Sequence, residues 1–332
     1  MTDDTYHRAE VRERTQLTPH MVRIRCGCPT PSGGPLDTGG VPDLSAFVST
    51  GVGDERLVVV FPLPGGTEPP LPVRTGTGWD YPDASSRPPM RSYTVRSFDA
   101  ATAELVVDVV VHDGGVASAW ARRARPGDLV LLSGAAGWYD PPVDAEWQLL
   151  VGDMTALPAL GRIAETARRG LRTSAVVEVV DAADRQPLPA GVDAEWLTGS
   201  GNGRGPSRLL AALRGREWPS GPGYVWFAGE AAESRAVRRH LRHELGWPAS
   251  RYDVLGYWRS GQEEWTRRYA EVAPGLEHVY VEAVARGLSS TDALEVYDDA
   301  LERVGLCPLL LLLPSTPRRV VRTWLTPGST EV

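Results

Sequence analysis

Arg91, Ser92, Tyr93 and Thr94 open an extended stretch, Arg91-Ser92-Tyr93-Thr94-Val95-Arg96, set between a Pro/Gly-rich approach (Pro62 to Met90) and a β-branched run, Leu105 to Val111. An arginine, an aromatic ring and a hydroxyl at i, i+2 and i+3 of an extended segment can reach a diphosphate, an isoalloxazine ring and an edge atom of that ring. That is what a flavin seat requires. The same residues also suit an ordinary barrel as a surface arginine, a core tyrosine and a strand threonine, so the motif alone leaves both readings open.

A second group follows. His112-Asp113-Gly114-Gly115-Val116-Ala117-Ser118 leads into Ala119-Trp120-Ala121-Arg122-Arg123. A glycine-rich turn feeding a short helix exposes free N–H groups at the helix start, and these bind phosphate oxygens well. His112 packs on an adenine or ribose in one reading and is a water-satisfied loop histidine in the other. Gly152-Asp153-Met154-Thr155 and Gly229-Glu230 form a third group, each at the end of an apolar run.

These residues need elements to hold them. Residues 8–25 alternate apolar and charged residues around a Thr-Pro turn, as a half-buried hairpin does. Arg56 to Phe61, Glu104 to Val111 and Leu129 to Ser133 read as further strands, whereas residues 62–89 hold eight prolines and predict an irregular segment. From Asp144 the rhythm changes to strands at 147–152, 173–180, 195–199, 223–229 and 251–258, with helices at 155–170, 207–215 and 233–246 between them. Alternation of this kind means a parallel sheet with crossover helices, which binds nucleotides at the C-terminal ends of its strands. No G-x-G-x-x-G follows the first strand; the glycine-rich Gly199 to Gly205 follows a later one and reads as a flexible connection. His240 and His243 read as solvated residues of the last crossover helix. Residues 289–304 predict an amphipathic helix with a capping-box start, and two short strands are expected beyond it.

The fold expected is therefore an N-terminal antiparallel β-barrel (1–143), a parallel-sheet, Rossmann-like α/β domain (144–261) and a C-terminal helix/strand extension (262–332). With 332 residues, two domains and a sizeable core are available. A net charge of −7 argues against a nucleic-acid partner. All 35 basic residues are arginine, which excludes Schiff-base chemistry and a lysine base. The 3 cysteines (Cys26, Cys28, Cys307) fit neither a disulfide framework nor a zinc pair. An acidic, polar start and the absence of a run near the ~20 apolar residues of a bilayer span point to a cytoplasmic protein with no membrane insertion.

Taken in order, R-S-Y-T, H-D-G-G-V-A-S-x-W, G-D-M-T-A-L-P, W-F-A-G-E and G-Y-W-R-S-G make the chain resemble the siderophore-interacting protein family over residues 5 to 261. These are FAD-dependent ferric-siderophore reductases related in fold to ferredoxin-NADP reductases. The resemblance implies FAD binding by Arg91, Ser92, Tyr93 and Thr94, with Thr94 near flavin N5 and Tyr93 against the ring as the catalytic pair. It implies a cover for the flavin diphosphate from His112, Gly115, Ala117, Ser118 and Trp120, with Val116 where the family has proline. The NADPH or NADH side falls on Gly152, Asp153, Thr155, Ala156 and Pro158, with Met154 in place of the family's glutamate. Gly229, Glu230, Tyr257 and Trp258 complete the cofactor set. Arg96 and Arg259 are the candidates for drawing in an anionic ferric siderophore, and no metal site of the protein's own is expected.

Residues 262–332 exceed the family's usual end; they pack on the core, provide a homodimer surface, or cap the flavin cleft. Two other functions compete with ferric-chelate reduction. One is recruitment to specialised metabolism, with FAD acting on, or shaping a pocket for, a small organic substrate. The other is a module that holds flavin or a chelate without turnover.

Overall fold

A computed structural model describes residues 5–30, 39–63, 65–75, 78–81, 87–133, 135–288 and 290–306. The first half is an antiparallel sheet built from β1 (His7–Thr18), β2 (Met21–Gly27), β3 (Arg56–Val60), β6 (Met90–Thr94), β7 (Ser97–Asp99), β8 (Glu104–Val110) and β9 (Leu129–Leu132). Its order is β6-β3-β9-β1-β2-β8-β7. The sheet curls back on itself where the chain leaves β6, because Arg96 N–H donates to Val106 O of β8 at 2.9 Å. Alternation along the strands turns Val11, Ile24, Leu57, Val59, Leu105, Val107 and Leu132 into one core, sealed by Trp120 of α1 (Val116–Arg123). The hairpin expected over 8–25 is β1–β2. The proline-rich approach carries one small hairpin, β4 (Val73–Thr75) with β5 (Gly78–Asp80), that its composition did not announce.

The second half is a fully parallel sheet, β12-β11-β10-β13-β14, made of β10 (Trp147–Gly152), β11 (Arg172–Val179), β12 (Asp193–Thr198), β13 (Gly223–Glu230) and β14 (Tyr252–Trp258). α2 (Leu157–Thr166) covers one face; α3 (Leu209–Arg214) and α4 (Ala231–Arg239) cover the other. With both faces covered, the central strands are mostly apolar, Gln148 of β10 and Glu178 of β11 being buried exceptions, and Tyr224, Trp226 and Phe227 are fully buried. The strand order reverses direction between β10 and β13, so the loops leaving these neighbours diverge and open a crevice at their C-terminal ends.

Two expectations change here. His240 is buried, its Nδ1 lying 2.8 Å from Glu244 Oε2, because α4 passes into a π-helical turn over His240–Glu244 that rolls the ring inward. Residues 199–205 are tied down rather than slack. Asn202 adopts a left-handed φ of 54°, its Oδ1 accepts Met154 N–H at 3.0 Å and its Nδ2 donates to Glu178 O. Beyond the sheet, α5 (Gln262–Ala285) and α6 (Ser290–Arg303) form a helical hairpin with its own core around Trp265, Tyr269, Leu276, Tyr297 and Leu301. The two strands expected after it lie outside the described residues. No described helix is long and apolar enough to cross a membrane.

Candidate flavin and nucleotide site

β6 pairs with β3 in a register that places Val59 opposite Arg91, Val58 opposite Ser92, Leu57 opposite Tyr93 and Arg56 opposite Thr94. Arg91 is exposed at the outer end of this strand and Thr94 is buried at its inner end. Tyr93 is half-buried: its ring packs on the barrel core edge-on to Phe61, 6.2 Å between centroids, and burial pushes its phenol pKa up. Ser92 lies between them, partly covered.

The predicted phosphate turn has the shape its glycines require. Gly114 and Gly115 sit at φ 80° and 90°, and a Cβ on Gly115 would lie 3.2 Å from His112 Cε1. Gly115 is the N-cap of α1 and supplies no side-chain cap, so the first N–H groups of this helix face outward unsatisfied by the helix itself. The ring of His112 is exposed at the mouth of the turn. Ser118 and Trp120 are buried beneath it: Ser118 Oγ accepts His112 N–H at 3.3 Å and donates to Val110 O, while Trp120 packs against Phe61 inside the barrel. Ala117 is buried with them. These three hold the turn from below, and the chemistry presented outward is that of His112 and the backbone. An arginine, a cradle that a Cβ would disturb and open helix-start N–H groups together fit a flavin dinucleotide.

On the facing rim, Gly152 gives way to Asp153. A Cβ at Gly152 would come within 2.4 Å of Ala156 Cβ and 2.7 Å of Ala228 O, so only glycine lets α2 start this close to the sheet. Asp153 is buried; its Oδ1 accepts from Thr155 N (2.8 Å) and Oγ1 (2.6 Å), and its Oδ2 accepts Trp258 Nε1–H at 2.5 Å. Burial raises its pKa against those hydrogen bonds. Gly229 sits over the same carboxylate, and a Cβ there would be 3.2 Å from Asp153 Oδ2. Glu230 caps α4, accepting Ala232 and Glu233 N–H on Oε2, and holds Ser260 N–H on Oε1. Ala156 is buried at the start of α2. Asp153, Thr155, Gly229, Glu230 and Trp258 thus form one rim at the strand ends. Met154 turns its side chain into the core, so the family's glutamate is replaced by a packing residue here.

The two rims meet. Thr94 of the antiparallel sheet lies beside the side chain of Tyr257 from β14. Around them is a buried polar seam that the single sequence did not reveal. Asp54 Oδ1 accepts the N–H groups of Trp138 (2.8 Å) and Tyr139 (2.9 Å), and Asp54 Oδ2 accepts Trp226 Nε1–H from the other sheet at 3.3 Å. Burial raises the Asp54 pKa. Arg56 stacks 4.6 Å over the Trp138 ring, and burial lowers its pKa while Tyr257 and Asp54 oppose that shift. A pair of acids, Asp54-Glu55, just before a buried strand was the available signal for Asp54. The remaining two candidates are engaged with protein. Arg96 forms a bidentate pair with Glu165 of α2 at 2.5 and 2.8 Å, and the Arg259 guanidinium stacks 4.4 Å over Trp265 of α5. Among the described residues no cluster of metal-ligating side chains is present.

Comparison with known proteins agrees with this two-part construction. A ferredoxin NADP+ reductase from Neisseria gonorrhoeae, 14% identical, aligns over 77% of this chain and 100% of its own with a TM-score of 0.51, which places the fold. The crystal structure of a siderophore utilization protein from T. fusca is 33% identical, covers 79% of this chain and 95% of its own, and has a TM-score of 0.66. A curated relative, the NADPH-dependent ferric-chelate reductase of Escherichia coli, is 33% identical over 222 residues, 65% of this chain and 84% of its own. Residues 10–139 match the siderophore-interacting FAD-binding domain and residues 145–261 match the siderophore-interacting protein domain. The chain belongs to the siderophore-interacting protein family, as the order of its motifs implied.

Proposed function

We propose that the chain is a cytoplasmic, flavin-dependent reductase that takes electrons from NAD(P)H and delivers them through FAD to a ferric siderophore or a similar ferric chelate. The observation that most supports this is the meeting of Thr94 with Tyr257. It joins the flavin-edge motif of one sheet to the nucleotide edge of the other in a single site. Bound FAD would supply the chemistry that links a two-electron donor to a one-electron acceptor.

The chain's own residues bind and orient. Exposed Arg91 and the N–H groups at the start of α1 would neutralise the diphosphate, and Tyr93 would present the open side of its ring to the isoalloxazine. Asp153, fixed by Thr155 and Trp258, shapes the nicotinamide side and keeps the Trp258 indole in place as a wall. The Escherichia coli relative's name favours NADPH as the donor. Because Met154 is a core residue, its difference from the family's glutamate gives no support to a module without turnover.

Anaerobic titration of the FAD-loaded protein with NADPH and NADH tests the reading. The flavin band should bleach with one or both nucleotides and recover on addition of a ferric siderophore. A flavin that neither nucleotide bleaches would rule the reading out. Bleaching followed by reoxidation no faster with ferric chelates than with buffer would favour an organic substrate instead.

A further inference from the structure

The loop that follows β12 has no part in the site described so far, yet the fold fastens it closely. In the sheet order β12 lies two strands away from β10, and its loop nonetheless doubles back over the strand ends: Asn202 Oδ1 accepts Met154 N–H at 3.0 Å, directly after Asp153. Glu178, near the end of β11, anchors the loop from beneath. Its Oε1 accepts Ser200 Oγ–H and Arg208 N–H, each at 2.7 Å, and its carbonyl oxygen accepts from Asn202 Nδ2. Gly201, Asn202 and Gly203 all adopt left-handed φ, at 61°, 54° and 75°. A Cβ on Gly201 would collide with Glu178 Oε2, and Gly203 lies close enough to the rim for a Cβ there to touch the Trp258 ring at 3.8 Å. Trp258 comes from β14 at the opposite edge of the sheet, so loop and rim meet over the strand ends.

What this loop carries outward is positive charge. Arg204 and Arg208 are exposed, and among the described residues neither guanidinium makes an ion pair or a hydrogen bond. The acids around the end of β11 are turned to protein instead. Glu178 is buried under the loop, Asp181 Oδ1 accepts Ala183 N–H at 2.8 Å, and Asp184 Oδ2 lies 2.8 Å from His20 Nδ1. In dinucleotide-binding sheets an acid in this region receives the ribose 2′-hydroxyl of NADH, whereas an arginine nearby accommodates the 2′-phosphate of NADPH. Thr94 meets Tyr257 at the β14 end of this sheet, so a nucleotide whose nicotinamide lies there runs across the strand ends towards β12 and brings its adenosine end to the loop.

We propose that Arg204, on a loop anchored by Glu178 and Asn202, receives the 2′-phosphate of NADPH and makes the protein prefer NADPH to NADH, with Arg208 adding a second positive charge. The proposal rests on the nicotinamide-nucleotide reading given above and names the residue that selects the donor. A phosphate monoester carries about −1.5 to −2 charge near neutrality, and an arginine fork can pair with two of its oxygens. Arg204 meets the adenosine end, so it sets which nucleotide binds and leaves the chemical step alone.

Calorimetric titration of the FAD-loaded protein with NADP+ and NAD+, which bind without turnover, tests this. Wild type should bind NADP+ more tightly than NAD+. Arg204→Ala should weaken NADP+ binding by on the order of tenfold or more, the effect of losing a hydrogen bond between charged groups, and leave NAD+ binding within about twofold. Its thermal midpoint should match that of wild type, because the side chain is exposed and has no protein partner among the described residues. Equal affinities for the two nucleotides in wild type would overturn the proposal, as would an Arg204→Ala variant that keeps the wild-type preference. Equal weakening of both nucleotides would overturn it too, by placing Arg204 on the diphosphate they share. A wild-type protein that binds neither nucleotide would remove the reading beneath the proposal and the proposal with it.

Discussion

Arg91 and Trp120 belong to neighbouring motifs, yet their surroundings assign them opposite work. Arg91 stands exposed at the outer end of β6, and among the described residues its side chain donates to Met90 O alone, Nη1 at 2.7 Å. Nothing in the fold depends on that contact. Replacing Arg91 with alanine should therefore leave the unfolding free energy of the flavin-free protein within about 0.5 kcal/mol of wild type, as surface changes away from special features do. The same variant should lose FAD on gel filtration, and retention at wild-type stoichiometry would contradict the diphosphate role. Trp120, by contrast, is 4% exposed and packs on Phe61 beneath the phosphate turn. Its place in the motif was legible from the sequence, but its direction was not, because a one-residue change of side decides whether a helix residue meets solvent or core. The same holds for Tyr257, which falls at a shift in the register of β14 against β13.

The elements that carry these residues are joined by charged contacts of unequal strength. Arg162 of α2 donates to Val95 O at 2.5 Å and pairs with Glu55 at 2.7 Å, and the Glu55 side chain is 0% exposed. Arg96 and Glu165 span the same two elements but are partly open to solvent. Arg162→Ala should cost about 3–5 kcal/mol, because it strands a buried carboxylate that Ser49 and Thr50 only partly satisfy. Arg96→Ala should cost about 1 kcal/mol or less. Urea midpoints of the two variants check this, and equal losses would refute the distinction. Most elements were legible, since alternation located the barrel strands and the strand-helix rhythm located the parallel sheet. α5 was missed. Its apolar positions, Trp265, Tyr269, Val272, Leu276, Val279 and Ala283, follow helical spacing, but Pro274 and Gly275 interrupt the run as breakers. Packing against α6 outweighs that local preference.

Across the whole molecule, the acids of the seam were the part hardest to foresee, because residues far apart in sequence create it: Asp54, in the turn before β3, and Trp226 of β13 share one hydrogen bond. Asp253 extends this acidic region. Burial first, then the charges of Asp54 and Asp140, push its carboxyl up to about 6, against the hydrogen bond donated by the Tyr224 hydroxyl and the charge of Arg238. Its ordinary value is 3.8, so between about pH 4 and 6 the folded protein keeps a proton that the unfolded chain has released. Stability therefore falls as pH rises through that window, by on the order of 3 kcal/mol for this group, and the loss is complete above it. Asp54 and Asp153, also raised by burial, act with the same sign. Glu244 has the opposite sign: hydrogen bonds from Arg214 and His240 lower it to about 2, so what it contributes is lost only on strong acidification. With a net charge of −7, mild acidification also relieves self-repulsion. The flavin-free protein should thus melt at a higher temperature at pH 5 than at pH 7, and Asp253→Asn should flatten part of that difference while keeping an acceptor for Tyr224. A wild-type midpoint that climbs from pH 5 to pH 7 would mean that the folded seam carries its acids ionised, with Arg56 and Arg238 compensating them more fully than burial penalises them.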